Sequence, residues 1–209
     1  MLNITYGNIK IFFSNEINGG GITFNDEFLN AIKFIFKDRS ITQVNHIYEF
    51  CAGPGFLGFS CLSKGLCNRL TLSDINQKAI DACNQTVKYN NLEDKVNVIL
   101  SDGLNDIPHQ QFDLIIANPP HLNPNISLTD LIPDVPPVIY TDQNWAIHEK
   151  FYNNVKYYLH NDSDILFIEN IVGNGQEIFK NQISEAGLTL EAIFSYPESD
   201  NYFVWSKID

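Results

Sequence analysis

Positively charged side chains are scarce in this chain. Its 209 residues include 13 lysines and arginines against 25 aspartates and glutamates, giving a formal net charge of −12. Residues 1–100 carry 9 basic and 9 acidic side chains, whereas residues 101–209 carry 4 and 16, so the second half holds the whole excess. Nucleic-acid-binding proteins neutralise phosphates with basic patches, and neither half offers one. The composition argues against a long nucleic-acid duplex and favours an amine-bearing substrate or a basic protein partner.

Metal-type cysteine spacing and long apolar runs are also missing. The four cysteines show no CxxC pattern and lie in apolar sequence, which indicates reduced, buried thiols and no metal site. No apolar run approaches the ~20 residues of a membrane span, and the first residues lack the pattern of a secretion signal. These absences predict a cytoplasmic protein with no membrane partner, and they leave its oligomeric state open. The cysteines are Cys51, Cys61, Cys67 and Cys83.

Strand and helix patterns alternate from residue 45 onward. Because parallel strands need crossover connections, the alternation predicts an α/β fold. We expect a Rossmann-like, seven-stranded, mostly parallel sheet with helices on both faces and a C-terminal antiparallel strand pair. The predicted strands are Ile47–Phe50, Leu70–Leu72, Val96–Leu100, Phe112–Ala117, Ile165–Ile168, Leu188–Ser195 and Tyr202–Trp205. Helices are predicted from residue 56 through Leu62, over 77–90, along Ile147, Phe151, Val155 and Leu159, and over 175–186.

Two segments stand outside this alternation. Residues 1–40 are predicted to form a hairpin, a triple-glycine stretch at residues 19–21 and a lead-in helix near 25–37, ahead of the main domain at 41–209. Residues 119–142 hold six of the nine prolines, too many for a helix or a central strand. A loop of this length is usually functional, so we interpret it as the lid or wall of a substrate pocket.

A glycine-rich turn follows the first strand of the main domain. Gly53, Gly55 and Gly58 fit a dinucleotide-type fingerprint, and Asp74 comes 21 residues after Gly53. Such glycines let the backbone approach a ligand at a helix N-terminus, and the carboxylate accepts hydrogen bonds from ribose hydroxyls. The same turn can also serve only to tighten a strand–helix connection, so the signal alone leaves both readings open.

The segment from Glu49 to Gly55 resembles the first motif of the class I S-adenosylmethionine-dependent methyltransferases. Cys51 stands where the first glycine usually lies, so we expect its backbone to avoid a glycine-only conformation. The resemblance implies S-adenosylmethionine as cofactor, with Asp74 holding the ribose and Asp102 the adenine amino group. The residues it assigns to cofactor binding are Glu49, Cys51, Gly53, Gly55, Phe56, Asp74, Ile75, Asp102, Gly103 and Asn118.

A second motif, Asn118-Pro119-Pro120-His121, follows the fourth strand. It is similar to the Asn-Pro-Pro-aromatic motif of the amino-methyltransferase branch, which includes the release-factor glutamine methyltransferases. The Asn118 Oδ1 atom and the Pro119 carbonyl can accept the N–H bonds of a substrate nitrogen, and two prolines stiffen the turn. His121 replaces an aromatic residue that stacks on the substrate, and imidazole can also exchange a proton. We assign these four residues to catalysis.

Residues further along are candidates for the acceptor pocket. Trp145 and His148 begin the helix before the fifth strand, and Glu169 ends that strand. The release-factor enzymes carry a Glu, a Gly and a Gln in the order that Glu169, Gly173 and Gln176 repeat here. Core packing for Trp145 and helix capping for Glu169 are equally open readings.

These motifs together predict an S-adenosylmethionine-dependent methyltransferase that modifies an amide or amine nitrogen of a small molecule or protein side chain. One alternative is an RNA or DNA enzyme that methylates adenine N6 or guanine N2. From other classes, an NAD-dependent oxidoreductase explains the glycine turn but not Asp102 or the Asn-Pro-Pro motif. An inactive cofactor-binding subunit is the remaining alternative.

Overall fold

Strands and helices alternate along the chain in this computed structural model, which describes residues 1–122, 139–171, 173, 175 and 179–208. The strands are β1 Leu2–Tyr6, β2 Ile9–Phe13, β3 Val44–Phe50, β4 Cys67–Asp74, β5 Val96–Leu100, β6 Phe112–Ala117, β7 Leu159–Asn170, β8 Leu188–Ser195 and β9 Asn201–Ile208. The α-helices are α1 Asn25–Asp38, α2 Phe56–Ser63, α3 Gln77–Asn90, α4 Ala146–Asn154 and α5 Lys180–Glu185.

Seven strands form one sheet in the order β5-β4-β3-β6-β7-β9-β8. Strands β3 to β7 run parallel to one another, while β9 is antiparallel to both β7 and β8. The chain order reverses between β3 and β6, and ligands of such sheets bind beyond the carboxyl ends of the strands at that point. The predicted fold class is confirmed.

Both faces of the sheet are covered because successive residues of a strand point to opposite sides. In β6, Leu114 and Ile116 join the buried cluster that contains the apolar side chains of α1, α2 and α3. Ile115, between them, joins the cluster formed with α4 and α5. This alternation explains why the central strands read as continuous apolar runs in the sequence.

The N-terminal hairpin β1–β2 forms a separate two-stranded sheet that lies against α3. Its second strand is tied to that helix by two hydrogen bonds, from Lys10 N to Asn90 Oδ1 and from Phe12 N to Thr86 Oγ1, each 3.0 Å long. The buried Ile11 side chain belongs to the same apolar cluster as α1, α2 and α3. The hairpin therefore delivers the segment after Phe13 to the sheet edge where ligands bind.

Several predicted boundaries are wrong: β3, β4 and β9 extend beyond the predicted Ile47–Phe50, Leu70–Leu72 and Tyr202–Trp205, and three further bounds differ. The helical pattern that continued to Leu159 ends earlier, because α4 stops at Asn154, a 3-10 turn follows over Val155–Tyr158, and Leu159 already begins β7. Strand β7 is longer than the predicted Ile165–Ile168, since its first residue already pairs with β6. Helix α5 begins at Lys180 rather than at residue 175. Among the described residues, no helix is long and apolar enough to cross a membrane.

Candidate active site

A cavity of about 220 Å³ opens at the carboxyl edge of the sheet, where the chain order reverses. Strand β3 contributes Glu49 and Phe50, β4 ends in it at Asp74, and Asn118 enters directly after β6. Because parallel strands end at the same edge, residues far apart in the sequence meet here. The predicted site residues that line the cavity are Glu49, Cys51, Gly53, Phe56, Asp74, Ile75, Asp102, Gly103, Asn118 and Pro120.

Two glycines of the turn are required because neighbouring side chains leave no space for a Cβ atom. Gly55 caps α2 with a φ of 77°, and a Cβ there would lie 2.8 Å from the Phe59 ring and 2.9 Å from Leu72. A Cβ on Gly58 would lie 2.6 Å from Glu49 Oε2, which accepts a 2.7 Å hydrogen bond from the Gly58 N–H. Glycine is therefore required at both positions, and Gly55 serves the turn without lining the cavity.

Glu49 is buried, and its exposed fraction is 2%. Burial raises its pKa to about 8, although the backbone N–H groups of Gly58 and Leu57 lower it. One carboxyl oxygen is already engaged with Gly58, so Glu49 anchors the first turn of α2 to β3. The Glu49 side chain that lines the cavity is therefore largely in its neutral, protonated form near pH 7.

Cys51 does not avoid the glycine-type conformation, so that expectation is wrong. Its φ is 53°, in the left-handed region that favours glycine. The chain accepts this strain because the following turn is fixed on both sides: Ala52 N donates to Ser73 O, and Gly55 N donates to Ala52 O. The cysteine side chain packs instead against the apolar cluster on the α4 face of the sheet.

The Asp74 carboxylate closes the turn from β4. Its Oδ2 accepts a hydrogen bond of 2.7 Å from Gly53 N, and its Oδ1 accepts one of 2.8 Å from Asn76 N. Each carboxylate oxygen keeps a second lone pair, so the group can still accept from a ligand hydroxyl. Ile75, beside it, is 60% exposed at the cavity mouth.

Asp102 lies at the opposite rim, in the turn after β5. Its Oδ2 is 2.5 Å from the ammonium nitrogen of Lys150, which projects from α4 and also lines the cavity. The Lys150 stem crosses Gly103, where a Cβ would lie 3.1 Å from Lys150 Cδ. Gly103 has a φ of 67°, so both backbone conformation and space favour glycine there.

The amide of Asn118 is held in one orientation. Its Nδ2 donates to the carbonyl oxygen of Gly19 at 3.0 Å. A carbonyl can only accept, so the nitrogen must face Gly19 and Oδ1 must face the other way. That Oδ1 atom is buried and has no hydrogen-bond partner. Buried polar atoms are normally paired, so this acceptor is available for a ligand N–H.

The other three residues of the motif differ in their relation to the cavity. Pro120 lines the cavity, whereas Pro119 is buried beside it. The His121 Nδ1 atom is buried with no hydrogen-bond partner. Burial lowers the pKa of His121, and the positive charge of His148 lowers it further, against the opposing effect of Glu169. His121 is therefore neutral near pH 7, and Gly173 packs so closely against its carbonyl that a Cβ would overlap it.

His148 lies at the centre of a buried chain of three charged groups. Its Nδ1 is 2.6 Å from Asp142 Oδ2, and its Nε2 is 2.8 Å from Glu169 Oε1. Burial alone would lower its pKa, but the charge of Glu169 and the two hydrogen bonds outweigh it and raise the pKa to about 9. Both ring nitrogens then donate, one to each carboxyl group. His148 is completely buried and is not among the residues that line the cavity.

Trp145 packs against this cluster. Its ring stands edge-on to His148 and to Phe179, with centroids 5.8 Å and 5.4 Å apart, and Phe179 stacks on His148 at 4.1 Å. Trp145 precedes α4 with a φ of 60°. Its aromatic contacts favour the packing interpretation over direct substrate contact.

The two ends of the proline-rich segment lie next to each other, and one of them reaches the cavity. Leu122 N donates to Tyr140 O at 2.9 Å, and Asp142 N donates to Leu122 O at 3.0 Å, so the two ends lie side by side. Ile139 lines the cavity. Residues 123–138 of the lid predicted at 119–142, together with Gln176, lie outside the described residues.

Sequence reasoning missed two parts of this site. The segment that carries Ile17, Gly19 and Gly21 lines the cavity, and the triple glycine was its only visible signal. Lys150 was missed because its partner Asp102 lies 48 residues away. Among the residues that the structure describes, no group of His, Cys, Asp and Glu side chains could hold a metal ion.

The sequence and the fold of this chain are similar to those of known methyltransferases. The model of the family described as the methyltransferase small domain matches residues 25–135, more than half of the chain, and so includes α1. The ribosomal protein uL3 glutamine methyltransferase of Francisella tularensis is 34% identical over 41% of this chain and 27% of its own length. The release factor glutamine methyltransferase of Mycoplasma mycoides is 27% identical over 56% and 42%. The ribosomal RNA small subunit methyltransferase C of Pseudoalteromonas translucida is 33% identical over 42% and 25%.

The chain spans less than half the length of these curated relatives. Solved structures resemble it over most of its fold. A ribosomal protein L11 methylase from Lactobacillus delbrueckii subsp. bulgaricus has a TM-score of 0.60 at 13% identity, covering 86% of this chain and 78% of its own. TrmK of M. capricolum, solved with S-adenosyl-homocysteine, has a TM-score of 0.56 at 12% identity, covering 79% and 62%. At these identities the structural likeness concerns the fold.

Proposed function

Because the chain belongs to the methyltransferase small-domain family, we propose that it transfers a methyl group from S-adenosylmethionine to an amide or amine nitrogen. The acceptor is a protein side chain or a small molecule. The observation that carries this proposal is the buried Oδ1 of Asn118, which has no partner while its Nδ2 is fixed on Gly19. We assign Asn118, Pro119, Pro120 and His121 to the acceptor nitrogen, as the sequence motif suggested.

The residues around the cavity fit S-adenosylmethionine, which supplies an electrophilic methyl group on a sulfonium when it is bound. The turn at Gly53 lets a ligand approach the backbone closely. The Asp74 carboxylate accepts hydrogen bonds from Gly53 N and Asn76 N and can still accept from ribose hydroxyls. Asp102, at the other rim, accepts from an exocyclic amino group. Asn118 lines the same cavity.

The acceptor residues act by orientation. The Asn118 Oδ1 atom and the carbonyl of Pro119 each accept one N–H bond, which turns the nitrogen lone pair toward the methyl group. Orientation of this kind contributes roughly 7–11 kcal/mol to a displacement at best. Neutral His121, with its unpartnered Nδ1, offers a place for the proton that the nitrogen loses. Asn118 and Pro119 would orient the nitrogen that forms the new bond to carbon, while S-adenosylmethionine would supply the methyl group and keep the electron pair of the broken carbon–sulfur bond on sulfur.

The charge distribution favours a neutral or amine-bearing acceptor over a nucleic acid. Among the described residues that line the cavity, Lys150 alone is a lysine or arginine, and its ammonium faces Asp102. Two of the relatives above are named as glutamine methyltransferases, and a glutamine carboxamide presents two N–H bonds to Asn118 and Pro119. A ribosomal RNA methyltransferase is also among the relatives, which makes an exocyclic amine in RNA the second candidate.

Calorimetry tests the cofactor assignment. S-adenosylhomocysteine should bind the purified chain, and NAD should show no heat of binding under the same conditions. Binding of NAD alone would replace the proposal with the oxidoreductase reading. An Asp74→Asn variant serves as the site control, because it keeps the side-chain volume and weakens acceptance from ribose hydroxyls.

Transfer of a radiolabelled methyl group tests the acceptor class. The panel contains a glutamine-bearing peptide, a lysine-bearing peptide and single-stranded RNA, each with methyl-labelled S-adenosylmethionine. We expect label in a peptide and none in RNA. Label in RNA that falls steeply with added salt would support the nucleic-acid candidate instead, because phosphate contacts are salt-dependent. Cofactor binding without label in the whole panel would favour the inactive-subunit reading.

A further inference from the structure

The ion pair between Asp102 and Lys150 bridges two elements at the rim of the cavity. Asp102 Oδ2 lies 2.5 Å from Lys150 Nζ. Asp102 follows β5, whereas Lys150 is in α4, the helix that also carries His148 of the acceptor side. The pair therefore joins the two halves of the site across the cavity mouth.

This pair adds little to folding stability. The side chains of Lys150 and Asp102 are 34% and 59% exposed. Exposed ion pairs typically stabilise a protein by about 0–1 kcal/mol, because water screens the attraction and two long side chains lose freedom. The placement of Lys150 across Gly103 and against the cavity thus calls for another explanation.

The two groups together present an ordered hydrogen-bonding edge. A carboxylate only accepts, and an ammonium only donates. With one of its three N–H bonds directed to Asp102, Lys150 keeps donors for the cavity that it lines. Adenine offers the complementary edge, since its amino group donates and the adjacent ring nitrogens accept. Hypoxanthine reverses this edge, with an oxygen in place of the amino group.

We propose that Lys150 completes the adenine-recognition site: its ammonium fixes the Asp102 carboxylate for the adenine amino group and donates to an adenine ring nitrogen. This inference rests on the proposed function, because it assumes S-adenosylmethionine in the cavity. It adds a specificity-determining residue on a helix that the cofactor motifs do not include.

Calorimetric titration tests the proposal without measuring turnover. The probes are S-adenosylhomocysteine and S-inosylhomocysteine, which differ only in the base. The wild-type chain should prefer the adenine compound. Lys150→Met keeps the aliphatic stem but removes the donor, and it should weaken S-adenosylhomocysteine binding roughly 10-fold or more, the usual value of a charged hydrogen bond. The preference between the two bases should shrink by a similar factor, and Lys150→Arg should retain part of it.

Lys156→Met is the matched control, since it removes the same charge from the turn after α4, and Lys156 is not among the residues that line the cavity. It should leave both affinities unchanged. Equal or tighter S-adenosylhomocysteine binding by Lys150→Met would overturn the proposal. An equal loss for both bases would also overturn it, because that result indicates a general charge effect. Failure of the wild-type chain to bind either compound would instead remove the proposed function itself.

Discussion

The side-chain nitrogen of Asn118 is held 3.0 Å from the carbonyl oxygen of Gly19, 99 residues earlier in the chain. This bond makes the N-terminal glycine segment part of the site, because it decides which atom of the amide faces the acceptor. The orientation of the principal acceptor-binding residue thus depends on a segment outside the cofactor motifs.

Replacement of Asn118 by aspartate removes the Nδ2 donor and places a carboxylate against the Gly19 carbonyl. We expect methyl transfer to fall by at least about 100-fold, the usual cost of losing one preorganised hydrogen-bonding group at a reacting centre. S-adenosylhomocysteine affinity should stay within a few-fold. Asn45→Asp, an identical change at an exposed position at the start of β3, is the control. Undiminished transfer by Asn118→Asp would remove this residue from the acceptor site.

Much of this site follows from strand periodicity. Apolar runs predict the strands, and a parallel sheet brings their carboxyl ends together, so Asp74, Asp102 and Asn118 could be grouped before the fold was known. The bounds of α3, β5, β6 and β8 agree with prediction because each pattern stops at a polar or turn-forming residue.

Other parts depend on contacts that no local pattern encodes. Ile147, Phe151, Val155 and Leu159 keep a helical spacing, yet Leu159 pairs with Phe112 and begins β7, so sheet pairing overrides the helical pattern. The sequence predicts His148 as a pocket residue. Its two carboxylate partners, 6 and 21 residues away, hold it in a buried cluster instead. The sequence also offers no reason to connect Gly19 with Asn118.

Replacement of His148 by glutamine should destabilise the protein strongly. The change leaves Asp142 and Glu169 buried without the cation between them, and breaking a buried charge pair costs about 3–5 kcal/mol. Urea unfolding measures the loss, with the exposed His109→Gln as control. Adding Asp142→Asn to His148→Gln should recover part of the stability, because one of the two buried carboxylates is then replaced by a neutral amide. A loss no larger than that of His109→Gln would contradict the ionic role of His148.

The contributions of His148 and Glu49 to stability should fall as the pH rises. The folded pKa of His148 is raised to about 9, so its contribution is complete below its ordinary pKa of 6.5 and is lost as pH rises through about 9. Glu49 acts in the same direction over a lower pH range. Its pKa is raised from 4.5 to about 8, so the folded state is increasingly destabilised relative to the unfolded state as the pH rises through this range.

The Glu49→Gln variant separates these two groups. It keeps an acceptor for the Gly58 N–H but cannot ionise, so the decline between about pH 5 and pH 8 should flatten while the His148 decline near pH 9 remains. The full Glu49 contribution is on the order of 5 kcal/mol from its shift in pKa. Thermal unfolding over this pH range provides the measurement. Parallel curves for the variant and the wild-type chain would show that Glu49 ionises as freely in the folded protein as in the unfolded one.

The contact between Glu49 and Gly58 also predicts the effect of filling the glycine turn. A methyl group on Gly58 would lie 2.6 Å from Glu49 Oε2 and 2.8 Å from Leu70 Cδ1. Both neighbours are side chains of buried strands. Gly58→Ala should therefore destabilise the protein by about 1–3 kcal/mol, as overpacking of a tight core does. Gly175→Ala is the matched control, because a Cβ there meets no atom within 4 Å. Because the Gly58 N–H lowers the pKa of Glu49, displacing Glu49 in Gly58→Ala should raise that pKa and extend the decline in stability to higher pH, which the same pH-dependent unfolding measures. Equal stability of the two variants would mean that the β3–α2 connection relaxes around the added methyl group, and that its close packing is not required for the shape of the cavity.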